Sequence, residues 1–250
     1  MILTIILLFI IGAIIGSFLN VCIYRLPRHE SIVSPGSHCP NCDMPVSWYD
    51  NIPLVIYLLL GGRCRRCGDP ISFWYPAVEL LTAVLFALAG WKFGPNVELL
   101  PALLLITALI VIFFIDLEHY IIPNVVVLPV AVIGLGAMIA ISPDRWLELL
   151  AAGLISGVFF FAIVLIFPKG MGLGDAKMAM MLGFFLGWSV VVALFAAFLL
   201  GALVGVALIV AGVKGRKSRL PFGPFLAVGA MLALFYGPTL LDKYLRLVGF

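Results

Sequence analysis

The sequence predicts an all-α, polytopic membrane protein with about eight transmembrane helices and a small polar insertion between the first two. Of its 250 residues, 64% are hydrophobic and only 11% are charged, whereas a soluble domain has about 25% charged residues. The mean hydropathy is +1.23, and apolar segments long enough to cross a hydrocarbon core of about 30 Å recur along nearly the whole chain. This composition argues against a soluble fold and predicts a bilayer environment.

Eight apolar segments are expected to span the membrane. Their predicted ranges are 1–24, 72–91, 98–115, 124–142, 147–167, 176–187, 190–213 and 222–240. The first lacks a basic n-region and a small-residue cleavage site, so it is expected to remain as a span. Residues 176–213 are too long for one crossing, and Gly187-Trp188-Ser189 is the expected turn. A single long tilted helix is the alternative.

The positions of the basic residues favour an orientation with both termini outside the cytoplasm. With the N-terminus outside, the cytoplasmic segments contain Arg25, Arg28, Arg63, Arg65, Arg66, Lys169, Lys177, Lys214, Arg216, Lys217 and Arg219. The opposite side contains only Lys92, Arg145, Lys243 and Arg246. This asymmetry follows the positive-inside rule. The net charge of +3 does not indicate a nucleic-acid partner.

A polar segment, residues 25–71, is the one candidate domain outside the membrane. It contains two Cys-x-x-Cys pairs, Cys39 with Cys42 and Cys64 with Cys67, separated by 21 residues. This spacing is close to that of a zinc ribbon with four thiolate ligands. Four protein ligands leave no open position for a substrate, so the predicted zinc is structural. Two disulfides are the alternative, although persistent disulfides are rare in the cytoplasm.

Two aspartates at span ends are the candidate catalytic groups. Asp116 follows the third predicted span and Asp175 precedes the sixth, which places both at the same membrane face. A lone carboxylate there would simply be solvated by headgroups and water, whereas two adjacent carboxylates can share a proton and activate a water molecule. Gly172 and Gly174 would allow an extended peptide to approach Asp175. The pair therefore predicts aspartyl protease chemistry.

Other acidic residues support a competing hypothesis. Glu79 lies deeper, within the second predicted span, and is expected to pair with a basic residue or line a cytoplasmic pocket. Glu118 and His119 are expected to be loop residues in the headgroup zone. A transporter or scaffold would use Asp116, Asp175 and Glu79 as a proton or cation path. That function needs acids spread through the membrane depth, whereas the two aspartates are predicted at one face.

The chain resembles the bifunctional type IV prepilin peptidases over its full length. The most specific motif is Gly172-x-Gly174-Asp175, which is combined with Asp116-x-Glu118. The resemblance implies that Asp116 and Asp175 are the catalytic pair and that Gly172, Gly174 and Glu118 support it. It also implies cleavage of the leader from a prepilin or pseudopilin, in pilus or type II secretion systems.

The cysteine loop and residues 16–21 look like the bacterial bifunctional branch of this family. That branch also methylates the new N-terminal amine with S-adenosylmethionine, an activity associated with the loop, here 25–71. Gly62 and Glu79 are the residues expected to line the cofactor pocket. Asn124 stands where the family commonly has Asp. A peptidase without methyltransferase activity is the alternative, and archaeal relatives of that type generally lack the loop.

The expected organisation has three parts: a first transmembrane helix at 1–24, a cytoplasmic zinc-binding loop domain at 25–71 and an aspartyl peptidase bundle at 72–250. The expected location is the bacterial cytoplasmic (inner) membrane, with the active site facing the cytoplasm. The expected partners are the lipid bilayer and a prepilin or pseudopilin substrate. The sequence makes no prediction of oligomeric state.

Overall fold

The computed structural model describes residues 1–39, 41–47, 50, 52–168, 170–213, 215 and 220–248. Five basic residues of the predicted cytoplasmic segments lie outside this described part: Lys169, Lys214, Arg216, Lys217 and Arg219. The chain forms two compact units, Met1–Leu99 and Leu100–Phe250. The unit boundary therefore falls after the second long helix, whereas the sequence-based division fell before it, at residue 71.

The described secondary structure consists of nine α-helices. They are α1 (Ile2–Arg25), α2 (Val55–Leu59), α3 (Trp74–Phe93), α4 (Leu99–His119), α5 (Asn124–Ile141), α6 (Trp146–Ile166), α7 (Leu173–Leu186), α8 (Val190–Val210) and α9 (Gly223–Val248). Short 3-10 turns occupy Leu26–Arg28, Pro143–Arg145 and Gly187–Ser189. No β-strand occurs in the described ranges.

Seven helical segments in the described part of the chain are long and apolar enough to cross a membrane. One of them, Leu173–Val210, has 38 residues and contains both α7 and α8. Counting these two separately gives eight helices of 14 residues or more among the described residues, as predicted. The protein is a multi-pass, all-helical membrane protein.

A turn at Gly187 separates α7 from α8. Gly187 has a φ of +55°, a conformation that favours glycine. The following N–H, of Trp188, donates a hydrogen bond of 3.3 Å to Glu148 at the start of α6, and Arg145 holds Glu148 in a 2.9 Å ion pair. α7 packs along α6, whereas α8 packs along α9. The predicted turn is confirmed, and one long tilted helix is excluded.

In the unit Met1–Leu99, α1 packs directly on α3. A Cβ atom at Gly12 would lie 2.7 Å from Ala83 Cα, and one at Gly16 would lie 2.7 Å from Glu79 Cα. Because these distances are too short for a real Cβ, only glycine permits this approach. Small residues allow membrane helices to pack closely without a hydrophobic driving force between them.

In the unit Leu100–Phe250, α7 is the most buried helix. Ten of its 14 residues are buried, and it contacts α5, α6, α8 and α9. The largest fully buried side chains of this unit are Leu105, Ile106, Leu109, Ile112, Ile115, Leu149, Phe160, Met178, Met181, Leu182 and Leu226. A helix that is buried on all sides is held by its neighbours, so the first turn of α7 has a defined position.

Two helix ends differ from the predicted ones. α4 continues to His119 and ends at Tyr120, which has a φ of +59°. The prediction that Glu118 and His119 are loop residues is therefore wrong. The apolar run stops at residue 115, but backbone hydrogen bonding continues, because the Tyr120 N–H still donates to the Asp116 carbonyl at 3.0 Å. α9 ends at Val248, eight residues beyond its predicted end.

Candidate functional site

Asp116 lies in the last turn of α4 and is only 5% exposed. Its Oδ2 accepts a hydrogen bond of 2.9 Å from the backbone N–H of Gly223, the first residue of α9. The two residues are 107 positions apart in the chain. The orientation of this carboxylate therefore depends on how α9 packs.

Asp175 lies in the first turn of α7 and is 7% exposed. Its Oδ2 accepts a hydrogen bond of 2.9 Å from the Gly172 N–H, and its own N–H donates to the Gly172 carbonyl at 3.1 Å. The hydrogen bond from the Gly172 N–H to the Asp175 carboxylate is the N3 half of a capping box, and the Gly172 carbonyl accepts in place of the N-cap side chain that glycine lacks. Local backbone geometry is therefore enough to orient the Asp175 carboxylate.

The two aspartates line one cavity of about 190 Å³ within the unit Leu100–Phe250. The other lining residues are Tyr120, Ile122, Pro168, Gly170, Met171, Gly172, Gly174, Leu220, Pro221 and Phe222. Among the described residues, neither Oδ1 atom has a hydrogen-bond partner. One oxygen of each carboxylate is thus held by a backbone N–H, and the other is available to a water molecule or a peptide.

Of the predicted supporting residues, the two glycines line the cavity and Glu118 does not. Gly172 and Gly174 line the cavity beside Asp175, and a Cβ at Gly174 would lie 2.8 Å from Ile122 Cβ. Glu118 does not line it. Its side chain is 70% exposed and lies 4.0 Å from His119.

Sequence reasoning missed the wall formed by residues 220–222 and the hydrogen bond from Gly223. These residues follow a basic segment and lie at the start of the eighth predicted span, 222–240, and they carry no ionisable group. The Pro-Phe-Gly-Pro sequence at 221–224 is the one local signal of an irregular backbone there, since proline and glycine commonly interrupt helices.

A polar contact joins α5 to α7 near this cavity. Lys177 Nζ donates a hydrogen bond of 2.9 Å to Asn124 Oδ1. Asn124 begins α5, and Lys177 lies two residues after Asp175. The amide at position 124 therefore still binds the lysine, although without the negative charge that an aspartate would supply.

In the unit Met1–Leu99, the four predicted cysteines come together at one point. Their sulfur atoms all lie within 4.8 Å of one another, and Cys39 Sγ is 3.8 Å from Cys67 Sγ. Zinc–sulfur bonds of about 2.3 Å in a tetrahedron give sulfur separations of about 3.8 Å. All four thiols are free. This donor set and its spacing fit one four-coordinate metal ion, and the alternative of two disulfides is not found.

Backbone turns present these sulfur atoms. In the first pair, the Asp43 N–H donates to the Cys39 carbonyl at 2.9 Å, and in the second the Gly68 N–H donates to the Cys64 carbonyl at 3.0 Å. Asp43 and Gly68 both have positive φ angles, 53° and 75°. The two pairs therefore use the same turn, and both turns direct their thiols towards the same point.

The surroundings of Cys64 and Cys67 shift the pKa values of their thiols in opposite directions. Backbone N–H groups of Cys67 and Arg66 point at the Cys64 sulfur and lower the pKa of that thiol to about 7. For Cys67, the Asp69 N–H acts to lower the pKa, but partial desolvation and the three neighbouring sulfurs outweigh it and raise the pKa to about 12. The thiolate is the form that binds a metal.

Glu79 and Gly62, the two predicted cofactor residues, both form hydrogen bonds with backbone groups of the loop, 25–71. Glu79 is buried in α3, and its Oε2 accepts a hydrogen bond of 2.8 Å from the Leu54 N–H. Gly62 donates its N–H to the Tyr57 carbonyl at 2.8 Å and accepts from the Ile71 N–H at 2.7 Å. A second cavity of about 480 Å³ in this unit has neither residue in its lining, which consists of Ile14, Ser17, Phe18, Val21, Ser37, Ile52 and Pro53. Both residues therefore take part in hydrogen bonds that hold the loop backbone, Glu79 at Leu54 and Gly62 at Tyr57 and Ile71.

Known proteins match nearly the whole chain. Residues 10–93 match the family described as the bacterial peptidase A24 N-terminal domain, and residues 103–206 match the type IV leader peptidase family. Among curated relatives, the prepilin leader peptidase/N-methyltransferase of Bacillus subtilis (strain 168) is 39% identical over 96% of this chain and 98% of its own length. The proteins of that name from Aeromonas hydrophila and Pseudomonas aeruginosa are 35% and 34% identical, each over 96% of this chain and 93% of its own length.

No solved structure matches the chain significantly. One family match falls within each compact unit, residues 10–93 in Met1–Leu99 and residues 103–206 in Leu100–Phe250. They agree with the relatives, which align from end to end rather than over one unit. On this evidence the chain belongs to the type IV leader peptidase family.

Proposed function

We propose that this protein cleaves the leader peptide from prepilins or pseudopilins and then methylates the new N-terminal residue with S-adenosylmethionine. The observation that carries the peptidase half is the pair of buried carboxylates, Asp116 and Asp175, in the lining of one cavity. The names of the relatives support both activities. The peptidase chemistry is assigned to the predicted bundle, 72–250, and within it to the unit Leu100–Phe250.

In the proposed reaction, the two aspartates share one proton. The ionised carboxylate removes a proton from a water molecule, whose oxygen attacks the scissile carbonyl carbon, while the protonated carboxylic acid donates a hydrogen bond to the carbonyl oxygen. When the C–N bond breaks, the leaving nitrogen takes a proton from the first aspartate. The products are a carboxyl end on the leader and a free amine on the mature protein.

The walls of the cavity support a peptide substrate. Met171, Ile122 and Phe222 supply apolar surface around the two carboxylates. Gly172 presents no side chain beside Asp175, which leaves room there for an extended backbone. A substrate anchored in the bilayer by its own apolar helix would present its leader junction near the end of that helix. Leader cleavage beside a membrane span fits this geometry.

We place the protein in the bacterial cytoplasmic (inner) membrane, with the cavity facing the cytoplasm and both termini outside. The support is the distribution of basic residues, since Arg25 and Arg28 follow α1 and Arg63, Arg65 and Arg66 lie in the polar loop. The partners in this proposal are the lipid bilayer and a prepilin or pseudopilin. No oligomeric state is proposed.

We assign a structural zinc ion to Cys39, Cys42, Cys64 and Cys67. Four thiolates satisfy a tetrahedral zinc ion completely, so the metal stabilises the loop and takes no part in bond making. The loop, 25–71, has too little apolar surface to fold without such a cross-link.

S-adenosylmethionine supplies the methyl group in the second reaction, and we assign its binding to the unit Met1–Leu99. That Gly62 and Glu79 line its site stays a prediction. Their contacts support a role in shaping the loop, because the Glu79 carboxylate holds Leu54 and the Gly62 backbone holds Tyr57 and Ile71.

The test of the peptidase proposal replaces one carboxylate at a time. We expect Asp116→Asn and Asp175→Asn each to lower leader cleavage of a prepilin in proteoliposomes by about 10²–10⁴-fold, the range that general acid–base groups contribute. Asp242→Asn makes the same change at an exposed position of α9 and should leave cleavage unchanged. Full activity in either active-site variant would overturn the proposal. So would a proton flux that Asp175→Asn abolishes while cleavage persists.

A further inference from the structure

The two aspartates are supported in different ways. Asp175 is held by Gly172, three residues away, whereas Asp116 is held by Gly223, 107 residues away, at the start of α9. Both bonds measure 2.9 Å and both end on Oδ2. The position of Asp116 therefore depends on a tertiary contact, while that of Asp175 is a property of its own turn.

The space around Gly223 admits no side chain. A Cβ at this position would lie 2.7 Å from Asp116 Oδ2 and 3.1 Å from Asp116 Cγ. A Cβ at Gly172 would lie 3.6 Å from Asp175 Oδ2, which is ordinary van der Waals contact. Of the two supporting glycines, only Gly223 must therefore be glycine if its carboxylate is to stay in place.

An aromatic cluster fixes the backbone just before Gly223. The Phe222 ring centroid lies 5.2 Å from that of Phe198 in α8 and 6.0 Å from that of Phe160 in α6. Phe160 is fully buried. Aromatic rings at these separations attract one another in tilted arrangements. The cluster joins α6 and α8 to Phe222, the residue before α9, at the point where the Gly223 N–H must be aimed.

We infer that Gly223 is a positioning residue that sets the Asp116 carboxylate for attack on the peptide, with Phe222 and Phe198 fixing the direction of its N–H. The inference rests on the proposed function of Asp116. Gly223 lies outside residues 103–206, the part that matches the peptidase family, so that match does not assign it. Gly223 acts through Asp116 and touches no reacting atom.

A positioning role has a kinetic consequence. Displacing the carboxylate moves it away from the water and the scissile carbonyl, and a misplacement of about 1 Å can cost roughly 10²-fold in rate. Leader binding depends on the cavity walls and on the substrate's own helix. A change at Gly223 should therefore lower kcat and leave KM nearly unchanged.

The experiment compares Gly223→Ala with Gly237→Ala in the full-length protein. A Cβ at Gly237, in the same helix, would lie 2.7 Å from Ser189 Cβ, so both variants create an equally close contact in α9. We expect Gly223→Ala to lower kcat by about 10²-fold with KM within about threefold. Gly237→Ala should lower the thermal unfolding temperature and keep kcat within about threefold of the wild type. Unchanged kcat in Gly223→Ala, or equal losses of kcat in both variants, would overturn the inference.

A second pair of variants tests the same inference if Gly223→Ala fails to fold. Phe198→Leu removes a ring that contacts Phe222, whereas Phe195→Leu removes an exposed ring one turn earlier in α8. The first should lower kcat by several-fold with KM unchanged, and the second should match the wild type. Equal kcat in these two variants would contradict the proposed role.

Failure of this inference can be told apart from failure of the proposed function. If Asp116→Asn keeps full activity, the aspartyl protease proposal itself is wrong. If Asp116→Asn is inactive but Gly223→Ala cleaves with wild-type kcat, Asp116 is catalytic and only the positioning role is lost.

Discussion

At the residue scale, the cavity shows that neighbouring glycines of one motif have different physical tasks. Gly172 contributes its N–H to Asp175, and its φ of −96° is accessible to any residue. Gly174 instead leaves room for the Ile122 side chain, because a Cβ at position 174 would lie 2.8 Å from Ile122 Cβ. An Ile Cβ is attached to the backbone and cannot rotate away, so this contact is the more demanding one.

We therefore expect Gly174→Ala to lower leader cleavage by about 10²-fold, since the clash displaces the turn that carries Asp175. Gly172→Ala keeps its N–H and makes only ordinary contacts, so its activity should stay within about threefold of the wild type. Cleavage rates of the two purified variants in proteoliposomes check this. Equal activity in both variants would show that the space at Gly174 is not limiting.

The contact between Lys177 and Asn124 gives a second prediction at this scale. Asn124→Asp converts an amide acceptor into a carboxylate, and exposed ion pairs contribute about 0–1 kcal/mol. We expect the free energy of unfolding to rise by no more than about 1 kcal/mol, and Asn124→Ala to lower it slightly. Thermal unfolding of the three proteins at low and high salt measures the difference. A gain that persists unchanged at high salt would contradict an electrostatic origin.

At the element scale, the helices formed close to their predicted positions because spans must satisfy their own backbone hydrogen bonds in lipid. Their ends were less predictable. α4 runs past its apolar segment to His119, since a helix ends where the backbone stops bonding, here at Tyr120 with its positive φ. The turn at Gly187 was predictable because a 38-residue apolar stretch exceeds one crossing.

The contact between α1 and α3 gives a prediction about elements. Gly16→Ala places a methyl group 2.7 Å from Glu79 Cα, and overpacking of this kind costs about 1–3 kcal/mol. Gly136→Ala in α5 adds the same methyl group where nothing beyond the adjacent backbone of its own helix lies within 4 Å and should not destabilise the protein. Thermal unfolding in one detergent compares the two. The same unfolding temperature in both variants would show that α1 and α3 can move apart without loss of stability.

At the scale of the whole molecule, two compact units carry two different kinds of centre. Met1–Leu99 contains the four clustered thiols, and Leu100–Phe250 contains both aspartates. The proposed activities divide in the same way, with cleavage in the second unit and methyl transfer in the first. Loss of the metal should therefore affect the two reactions unequally.

We expect Cys64→Ser to lose most of its bound zinc and to lower N-methylation more than leader cleavage, because three remaining thiolates hold the ion poorly and the loop depends on it. Elemental analysis measures the metal, and labelled S-adenosylmethionine measures methyl transfer. Cys22→Ala removes a buried thiol that is not in the cluster and should keep its zinc. Wild-type zinc content in Cys64→Ser would contradict a four-thiolate site.

The sequence by itself determined the features that depend on nearby residues or on the bilayer. Apolar length predicted the spans, the spacing of Cys39, Cys42, Cys64 and Cys67 predicted their cluster, and positions at span ends singled out Asp116 and Asp175. Such patterns are visible because periodicity and local turns are properties of short segments.

Only the tertiary structure decided which helices meet. It placed α3 against α1, and it brought Gly223 to Asp116 across 107 residues. Phe222 joined the cavity wall in the same way. Helix packing selects these partners by shape and space, and neither quantity is contained in local composition. The residues that orient Asp175 could therefore be predicted from its own turn, whereas the one that orients Asp116 could not.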